Sequence, residues 1–373
     1  MRLLVFGDFK ASKIDQISLS SELKQYISES DVNICNFEAP IQIEGAIPAK
    51  KSGPSICQSS LAPEFLEKMG FNIVLLANNH MMDYGSSSCL KTIEAFNRAD
   101  TIGAGEGAKA YGVLIKEFQG IKVGFLSLSH YEFGMTSSNT SDKIGVAWVN
   151  SPCVRDIIED TKKKIDYLLV FPHAGVEYTD APLPEWREVY KRIIDWGCDC
   201  VIATHPHVPQ GWEEYKNKPI FYSLGNFYFE GKWANPLCTK GIGVELILDE
   251  ERLSYNIIPI SFADGYVKIN NDDDYREHRE YLCELLRNEN HYNSYIDEKC
   301  KELYKDMRYG LLRGLYGVSP KLSVRQNIRL IGCLLLKKKN ELYLLNALRC
   351  ESHRWVIERC LEDNNMDKNY NLE

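Results

Sequence analysis

The first 210 residues contain strongly apolar runs that all end at residues able to ligate a metal ion. Short runs rich in β-branched and aromatic residues are typical of buried strands. In open α/β sheets the ligand crevice lies beyond the carboxyl ends of the strands, so we expect these ends to meet at one place. The runs and ligands are Leu3–Phe6 with Asp8, Val32–Phe37 with Glu38, Phe71–Leu76 with Asn79 and His80, Tyr167–Phe171 with His173, and Val201–Thr204 with His205 and His207.

Helical stretches separate the apolar runs. This alternation predicts a largely parallel sheet covered by helices. The predicted helices are Ser20–Ser28, Ala62–Met69, Cys89–Ala99, Val154–Lys164 and Trp186–Trp196. Further strand-like runs are expected to pair in a second or antiparallel layer: Lys122–Ser127, Ile220–Leu224, Gly243–Leu248 and Ser254–Ile260.

The character of the chain changes after Asp264-Gly265, and a polar, acidic stretch follows at residues 270–274. We therefore predict an α/β domain over residues 1–262 and a small helical C-terminal module over residues 270–373. Helical spacing in the module covers Tyr275–Glu289, Tyr295–Leu312, Val324–Leu336 and Glu341–Glu362.

Charge and composition exclude several classes of protein. The net charge of −8 and the pI near 5.6 argue against a nucleic-acid partner. Gly7-Asp8 interrupts the first apolar residues too early for a signal peptide, and no run approaches the roughly 20 apolar residues of a membrane span. Without an export signal, the 12 cysteines are interpreted as reduced thiols. These features predict a cytoplasmic protein.

The set of candidate ligands indicates the metal. Mixed imidazole and carboxylate ligation suits divalent transition metals such as Mn, Fe or Zn better than magnesium. Seven candidate ligands exceed one tetrahedral ion but suit two ions bridged by a carboxylate, for which Glu38 is the natural choice. In His205-Pro206-His207 the proline favours an extended segment, where side chains two residues apart point the same way. Both imidazoles are therefore expected to serve one centre.

Two divalent cations would leave the site positively charged after Asp8 and Glu38 are counted, which predicts an anionic substrate such as a phosphoester. Asn79 is expected to orient the anion as well as ligate. His80 is the candidate proton donor to the leaving group, or a group that stabilises charge.

Residues around this set have simpler alternative roles. Asp8 alone could cap a helix, and Asn79-His80 could form a turn. Glu177 is either a partner of an imidazole N–H or a substrate amine, or a solvent-facing helix residue. Asp83 is expected to fix the preceding loop, and Asn226 to tie a loop near the site by hydrogen bonds. The remaining histidines have no partner motif and are interpreted as structural or surface residues: His130, His278, His291 and His353.

Six motifs occur in this order along the chain: 36–40, 76–85, 103–105, 173–178, 205–210 and 222–227. Together they resemble the CapA family of poly-γ-glutamate capsule biosynthesis proteins, which is related to calcineurin-like metallophosphoesterases. The resemblance covers about residues 1–262. It implies an α/β fold, namely a four-layer α/β/β/α metallophosphoesterase-like sandwich, with a dinuclear metal centre, here followed by the C-terminal helical extension. Carried over by position, the metal ligands are Asp8, Glu38, Asn79, His173, His205 and His207, and the catalytic histidine is His80.

One departure leaves two functions open. The related phosphoesterases usually have Asp-x-His at the first motif, whereas this chain has Asp8-Phe9-Lys10. The leading hypothesis is a hydrolase of phosphoesters, or of another ester or an amide, with an anionic small molecule or polymer of capsule metabolism as substrate. The alternative is a non-catalytic polyanion-binding or scaffold component of membrane-associated capsule machinery. The missing histidine at Lys10 and the basic C-terminal module motivate it, and the cluster Lys337–Lys339 in that module is either a helix end or a contact with acidic lipid or a membrane partner.

Overall fold

The computed structural model describes residues 1–316, 323–325 and 338–366. Two compact units make up the chain. The first comprises residues 1–49 and 55–287, and the second comprises residues 50–54 and the described residues from 288 onward. All the candidate ligands lie in the first unit.

The strands follow one another in this order: β1 (Arg2–Lys10), β2 (Ser18–Leu19), β3 (Val32–Phe37), β4 (Ile73–Leu75), β5 (Asp100–Ile102), β6 (Ala104–Gly105), β7 (Leu114–Phe118), β8 (Ile121–Ser129), β9 (Met135–Thr136), β10 (Gly145–Ala147), β11 (Tyr167–His173), β12 (Cys200–Ile202), β13 (Trp212–Tyr215), β14 (Lys218–Phe221), β15 (Asn226–Phe229), β16 (Lys240–Leu248), β17 (Leu253–Ala263) and β18 (Tyr266–Ile269).

The helices are α1 (Ser21–Ser28), α2 (Ala62–Lys68), α3 (Gly85–Ala95), α4 (Gly107–Ala110), α5 (Cys153–Lys162), α6 (Pro184–Asp195), α7 (Asp273–Arg287), α8 (Glu289–Tyr316), α9 (Lys338–Arg349) and α10 (Glu351–Met366). Four of the five helices predicted before residue 200 are found to within about two residues. The fifth, Cys89–Ala99, is placed too late, because α3 begins at Gly85 and the backbone is already extended at Phe96.

The ligand-bearing strands divide between two sheets, where the alternation had predicted one largely parallel sheet. The first sheet has the order β2-β18-β17-β16-β1-β3-β4-β5, with β15 also pairing with β1. Here β1, β3, β4 and β5 are parallel, and β16 to β18 join antiparallel beside β1. The second sheet has the order β13-β14-β12-β11-β8-β7, with β8, β11, β12 and β14 parallel. The runs at 122–127 and 220–224 therefore pair directly with ligand-bearing strands.

The packing forms four layers. Side chains from facing sides of both sheets make one buried core, which includes Val5 and Ile34 from the first sheet and Phe125 and Phe171 from the second. A second core lies between the first sheet and helices α1 to α3. Helices α5 and α6 contact β11 and β12 of the second sheet. The arrangement confirms the predicted α/β/β/α sandwich.

The first unit extends further along the chain than residue 262. Tyr275 of α7 is buried in the core between the sheets, and its hydroxyl donates to the carbonyl oxygen of Gly241 at 2.9 Å. Helix α7 thus packs with the α/β layers, whereas α8, α9 and α10 form the helical part of the second unit.

The helical C-terminal extension is present. The predicted stretch Glu341–Glu362 is divided at Cys350 between α9 and α10. Residues 326–337, which include most of the predicted helix Val324–Leu336 and the first lysine of the Lys337–Lys339 cluster, lie outside the described residues. Among the helices in the described ranges, none is long and apolar enough to cross a membrane.

Candidate metal centre

The carboxyl ends of the two sheets meet at a buried cluster of imidazoles and carboxylates. Asp8 lies near the end of β1, where its backbone N–H donates to the carbonyl oxygen of Gly225 at 3.1 Å and its register partner is Asn226. On the second sheet, His173 ends β11 and forms a β-bridge with Thr204. Two sheets packed face to face thus bring residues from distant parts of the sequence into one pocket.

The candidate ligand atoms fall into two groups that share Glu38. Glu38, His173 and His205 form one group, and Asp8, Glu38 and His207 form the other. Within each group the ligand atoms lie within 4.8 Å of one another. All five side chains are almost completely buried. A carboxylate between two clusters of ligands has the position that a bridging ligand requires.

Glu38 is the least satisfied of these groups. Both carboxylate oxygens are buried, and among the described residues neither accepts a hydrogen bond from a donor. Burial, and then the neighbouring carboxylates of Asp8 and Glu177, raise the pKa of Glu38 well above its ordinary value. A hydrogen bond between the Glu38 and Asp8 carboxylates would require one of them to hold a proton. Because a buried carboxylate without donors is costly, the arrangement fits a bound cation.

His173 is oriented through both ring nitrogens. Its Nδ1 lies 2.9 Å from Thr204 Oγ1 and 3.2 Å from Asn36 Nδ2. Its Nε2 lies 3.1 Å from Asn79 Oδ1 and 3.7 Å from Glu38 Oε1. Burial lowers the pKa of His173 well below its ordinary value. The imidazole is therefore neutral, which is the form that ligates metals.

His207 has a defined ring orientation because of Asn226. The amide nitrogen of Asn226 donates to the carbonyl oxygens of His207 and Cys238, at 3.2 and 2.8 Å. Its Oδ1 must therefore be the atom 3.0 Å from His207 Nδ1. His207 Nδ1 carries the hydrogen, and its Nε2, 3.6 Å from Glu38 Oε1, keeps a free lone pair.

The prediction of an extended His205-Pro206-His207 segment is wrong. His205 has φ +102° and His207 has φ +60°, both in the left-handed region that residues other than glycine seldom adopt. The backbone bends after Thr204, and the two imidazoles join different ligand groups. Side chains two residues apart point the same way only along a regular strand, which ends at Ile202 here.

The Asn79-His80 segment forms a turn that also brings both side chains to the site. Asn79 Oδ1 contacts His173, as described above. His80 Nδ1 lies 2.7 Å from Asp83 Oδ2, which also accepts from the backbone N–H of Ile56 at 2.8 Å. Asp83 thereby fixes the orientation of the His80 ring. Asn79-His80 can therefore be a turn, as the simpler interpretation had it, and still place both side chains at the candidate centre.

Glu177 does not lie in a helix. It occupies a turn after β11, and its charge acts on both Glu38 and Tyr178. The position agrees with a residue near the centre and differs from the solvent-facing helix residue considered as its alternative. Lys10 occupies the position of the histidine in the first motif. Its Nζ lies 3.7 Å from Glu230 Oε2, so the side chain forms an ion pair there.

Three further polar residues at the site were not predicted. Asn36 donates to Asp8 Oδ1 at 2.8 Å, and Thr204 contacts His173. His130, interpreted from the sequence as structural or surface, is buried with its ring centroid 4.4 Å from that of His205. His130 directly follows β8, so the strand-end pattern could have identified it. The run before it had been assigned to another layer.

Comparison with known proteins places the chain in a family. Residues 7–231, more than half of the chain, match the family model described as bacterial capsule synthesis protein PGA_cap. This chain is a member of the PGA_cap family. The match spans the motifs around Glu38, Asn79, His173 and His205 and confirms the resemblance seen in the sequence.

PGA_cap relatives with curated descriptions include two bacterial proteins. Capsule biosynthesis protein CapA of Bacillus anthracis is 31% identical over 252 residues, which cover 65% of this chain and 61% of the relative. PGA biosynthesis protein CapA of Bacillus subtilis (strain 168) is 29% identical over 234 residues, covering 60% of each. This PGA_cap chain thus spans about three-fifths of the length of these relatives.

Among solved structures, a putative 5'-nucleotidase from Staphylococcus aureus in complex with alpha-ketoglutarate aligns with a TM-score of 0.45 and 17% identity. The alignment covers 75% of this PGA_cap chain and 57% of that structure.

Proposed function

We propose that this chain is a metal-dependent hydrolase with a dinuclear site, acting on an anionic phosphoester in the synthesis of capsule or another cell-surface polymer. The observation that carries the proposal is Glu38. Its two oxygens are buried without donors among the described residues, and it lies between two groups of ligand atoms. A purely structural role would leave a buried carboxylate without hydrogen-bond donors, whereas bound cations would satisfy both of its oxygens.

The ligand set defines what each side chain would do. Glu38 would bridge two divalent transition-metal ions, with His173 and His205 holding one ion and Asp8 and His207 the other. Bound ions at this site would polarise the phosphoester and lower the pKa of an attacking water. Asn79 Oδ1, 3.1 Å from His173 Nε2, would complete the first ion's ligands, and its amide nitrogen would orient the anion.

His80 is the candidate proton donor. Asp83 accepts from Nδ1, and in the protonated imidazole the opposite nitrogen, Nε2, would carry the proton that passes to the departing oxygen. An aspartate on the far side of the ring stabilises the protonated imidazole and fixes its direction. The pair therefore has the geometry of a general acid and its positioning residue.

The link to capsule metabolism is supported by the PGA_cap membership and by the printed names of the two Bacillus relatives. An anionic substrate suits a site in which two divalent cations face only two carboxylates among their ligands. A partner in membrane-associated capsule machinery is part of the same proposal and depends on the family alone.

Metal content and turnover test the proposal together. After loading with Mn²⁺ or Zn²⁺ and desalting, the protein is expected to retain one to two ions and to cleave a generic aryl phosphomonoester or phosphodiester. Glu38→Ala should lose both properties, while His80→Ala should retain the ions and lose turnover. Absence of bound metal after loading contradicts the proposal.

The scaffold alternative makes the opposite prediction for His80→Ala in cells. A polyanion-binding component would retain capsule production with this variant, whereas a hydrolase would not.

A further inference from the structure

Aromatic rings surround one side of the candidate centre. Three rings contact His207, with centroid separations of 4.8 Å for Phe229, 5.6 Å for Trp233 and 6.0 Å for Tyr178. Trp233 also lies 5.3 Å from Phe229 and 6.2 Å from Tyr178, so the rings form one cluster. Phe229 is buried, whereas Tyr178 is 49% exposed and Trp233 is half-buried. We call Tyr178 and Trp233 the aromatic rim.

The two rim residues are held by the backbone of the loops that carry the site. The Tyr178 N–H donates to the carbonyl oxygen of Pro206 at 2.8 Å, between the two ligating histidines of that loop. The Trp233 indole N–H donates to the carbonyl oxygen of Phe229 at 3.1 Å. These hydrogen bonds hold the backbone of Tyr178 and the indole ring of Trp233 near His207.

Tyr178 adopts an unfavourable backbone conformation. Its φ of +63° lies in the left-handed region, which is rare for bulky side chains. Local strain of this kind costs about 1–3 kcal/mol and clusters at ligand-binding and catalytic sites. Burial of the ring does not account for the strain, because half of the side chain remains exposed. A surface aromatic held this way is better explained by a ligand that contacts it.

We propose that the aromatic rim binds a flat ring carried by the substrate, while the metal side of the site binds the substrate's anionic group. This specificity determinant rests on the proposed function, since it assumes an anion at the ligand cluster. Exposed aromatic faces stabilise other rings by stacking, and they contribute little to an aliphatic chain of the same charge. The predicted substrate is an anion whose organic group contains a flat ring, such as a nucleobase or an aryl group.

Binding of two simple phosphonates to the Mn²⁺-loaded protein tests the rim without turnover. Calorimetry should show that phenylphosphonate binds roughly five- to tenfold more tightly than ethylphosphonate, as a stacking contact predicts. Tyr178→Asn and Trp233→Leu should each reduce this ratio towards one. Asparagine tolerates the left-handed conformation, so the first variant removes the ring without new strain.

Two control variants separate the ring from other effects. Tyr178→Phe keeps the ring and should keep the preference. Tyr281→Ala removes an exposed aromatic residue of α7 that is not part of the rim, and should leave both affinities unchanged. Equal affinity for the two phosphonates in the unmodified protein overturns the proposal, as does a preference that survives in both rim variants.

Competition then identifies the kind of ring. A nucleoside monophosphate should displace phenylphosphonate at a lower concentration than a hexose phosphate, which has no flat ring, and equal displacement by the two overturns the proposal. Ring preference in a protein that hydrolyses no phosphoester leaves the rim in place and removes only the hydrolase assignment. Turnover of a phosphoester without any ring preference would support the hydrolase assignment and overturn the aromatic-rim proposal.

Discussion

The imidazoles of His205 and His207 are separated by one proline, yet they face different groups of ligand atoms. The φ angles of both residues are positive, and each ring belongs to a group of ligand atoms that includes Glu38. The segment is costly to form, since neither histidine is favoured in the left-handed region. The strained conformation of this loop is therefore associated with placing the two imidazoles in separate groups of ligand atoms.

Replacing Glu38 with glutamine should have opposite effects on the metal-free and metal-loaded protein. At pH 8 without metal, the variant removes a buried charge that has no donors, so its free energy of unfolding should rise by about 1–3 kcal/mol. With metal, the amide ligates poorly. In EDTA, the Tm of Glu38→Gln should therefore be higher than the Tm of the native protein. Adding Mn²⁺ should raise the Tm of the variant less than it raises that of the native protein. Equal gains from Mn²⁺ in both proteins would contradict this role.

Asn226→Ala should weaken metal binding although Asn226 is not a proposed ligand. Without its Oδ1, the ring of His207 is no longer held in one tautomer and direction. Loss of such a partner typically costs 10- to 100-fold in metal affinity, which competition with a fluorescent chelator measures. Asn256→Ala on the exposed face of β17 is the matched control and should bind metal like the native protein. An unchanged affinity for the Asn226 variant would show that His207 orients without help.

Asp83→Asn should lower kcat while the metal content stays constant. The amide oxygen can still accept from His80 Nδ1, but without the negative charge it stabilises a protonated His80 less, so proton transfer to the leaving group becomes slower. General acid catalysis contributes about 10²- to 10⁴-fold, and the loss should approach that of His80→Gln. Steady-state kinetics and elemental analysis on the same samples check the prediction. If metal content fell in step with kcat, Asp83 would be acting on the fold of the loop and not on the proton donor.

Glu67 should make stability depend on pH in the acidic range. Burial alone would raise its pKa, but hydrogen bonds from the backbone N–H groups of Arg98, Ala99 and Asn97 hold the pKa below its ordinary value. These contacts measure 2.6, 3.0 and 2.7 Å and close the loop after α3. A carboxylate with a lowered folded-state pKa stabilises above its unfolded value near ~4.3, and the contribution is lost as the pH falls through the folded pKa.

Glu67→Gln should therefore lower the free energy of unfolding by about 1–2 kcal/mol at pH 7, and the difference in Tm should shrink as the pH falls below ~4.3 and disappear below the lowered folded-state pKa of Glu67. Glu64→Gln provides the control, because Glu64 is exposed on the same helix and forms a surface ion pair with Lys68, 2.6 Å long. Its Tm difference should stay small throughout. A Glu67 effect that is independent of pH would assign the stabilisation to packing instead of charge.

The strand-end pattern predicted the principal metal-site candidates because it depends on local information. An apolar run reports a buried strand, and a ligand directly after it must lie at a sheet edge, as Glu38 and His173 do. The pattern could not show that the strands divide between two sheets, since strand pairing is set by contacts between distant parts of the chain. His130 was missed for that reason, as its strand had been assigned away from β11.

Other features depended on tertiary packing that local patterns do not contain. The amphipathic spacing of α7 predicts a helix, but it does not say that Tyr275 enters the core between the sheets. The left-handed conformations of His205 and Tyr178 run against intrinsic preference, and only surrounding contacts impose them. Polar partners such as Thr204 and Asn36 resemble ordinary strand residues in the sequence.

The pairing of β1 with β15 has a consequence for how the protein acquires metal. Asp8 is synthesised before its register partner Asn226 and before Gly225, whose carbonyl oxygen accepts from the Asp8 N–H, and more than 200 residues separate it from both. A growing polypeptide therefore exposes isolated histidines and carboxylates long before a pocket exists to arrange them. Metal should therefore bind only after β15 has paired with β1, which means that metal binding follows folding and does not initiate it.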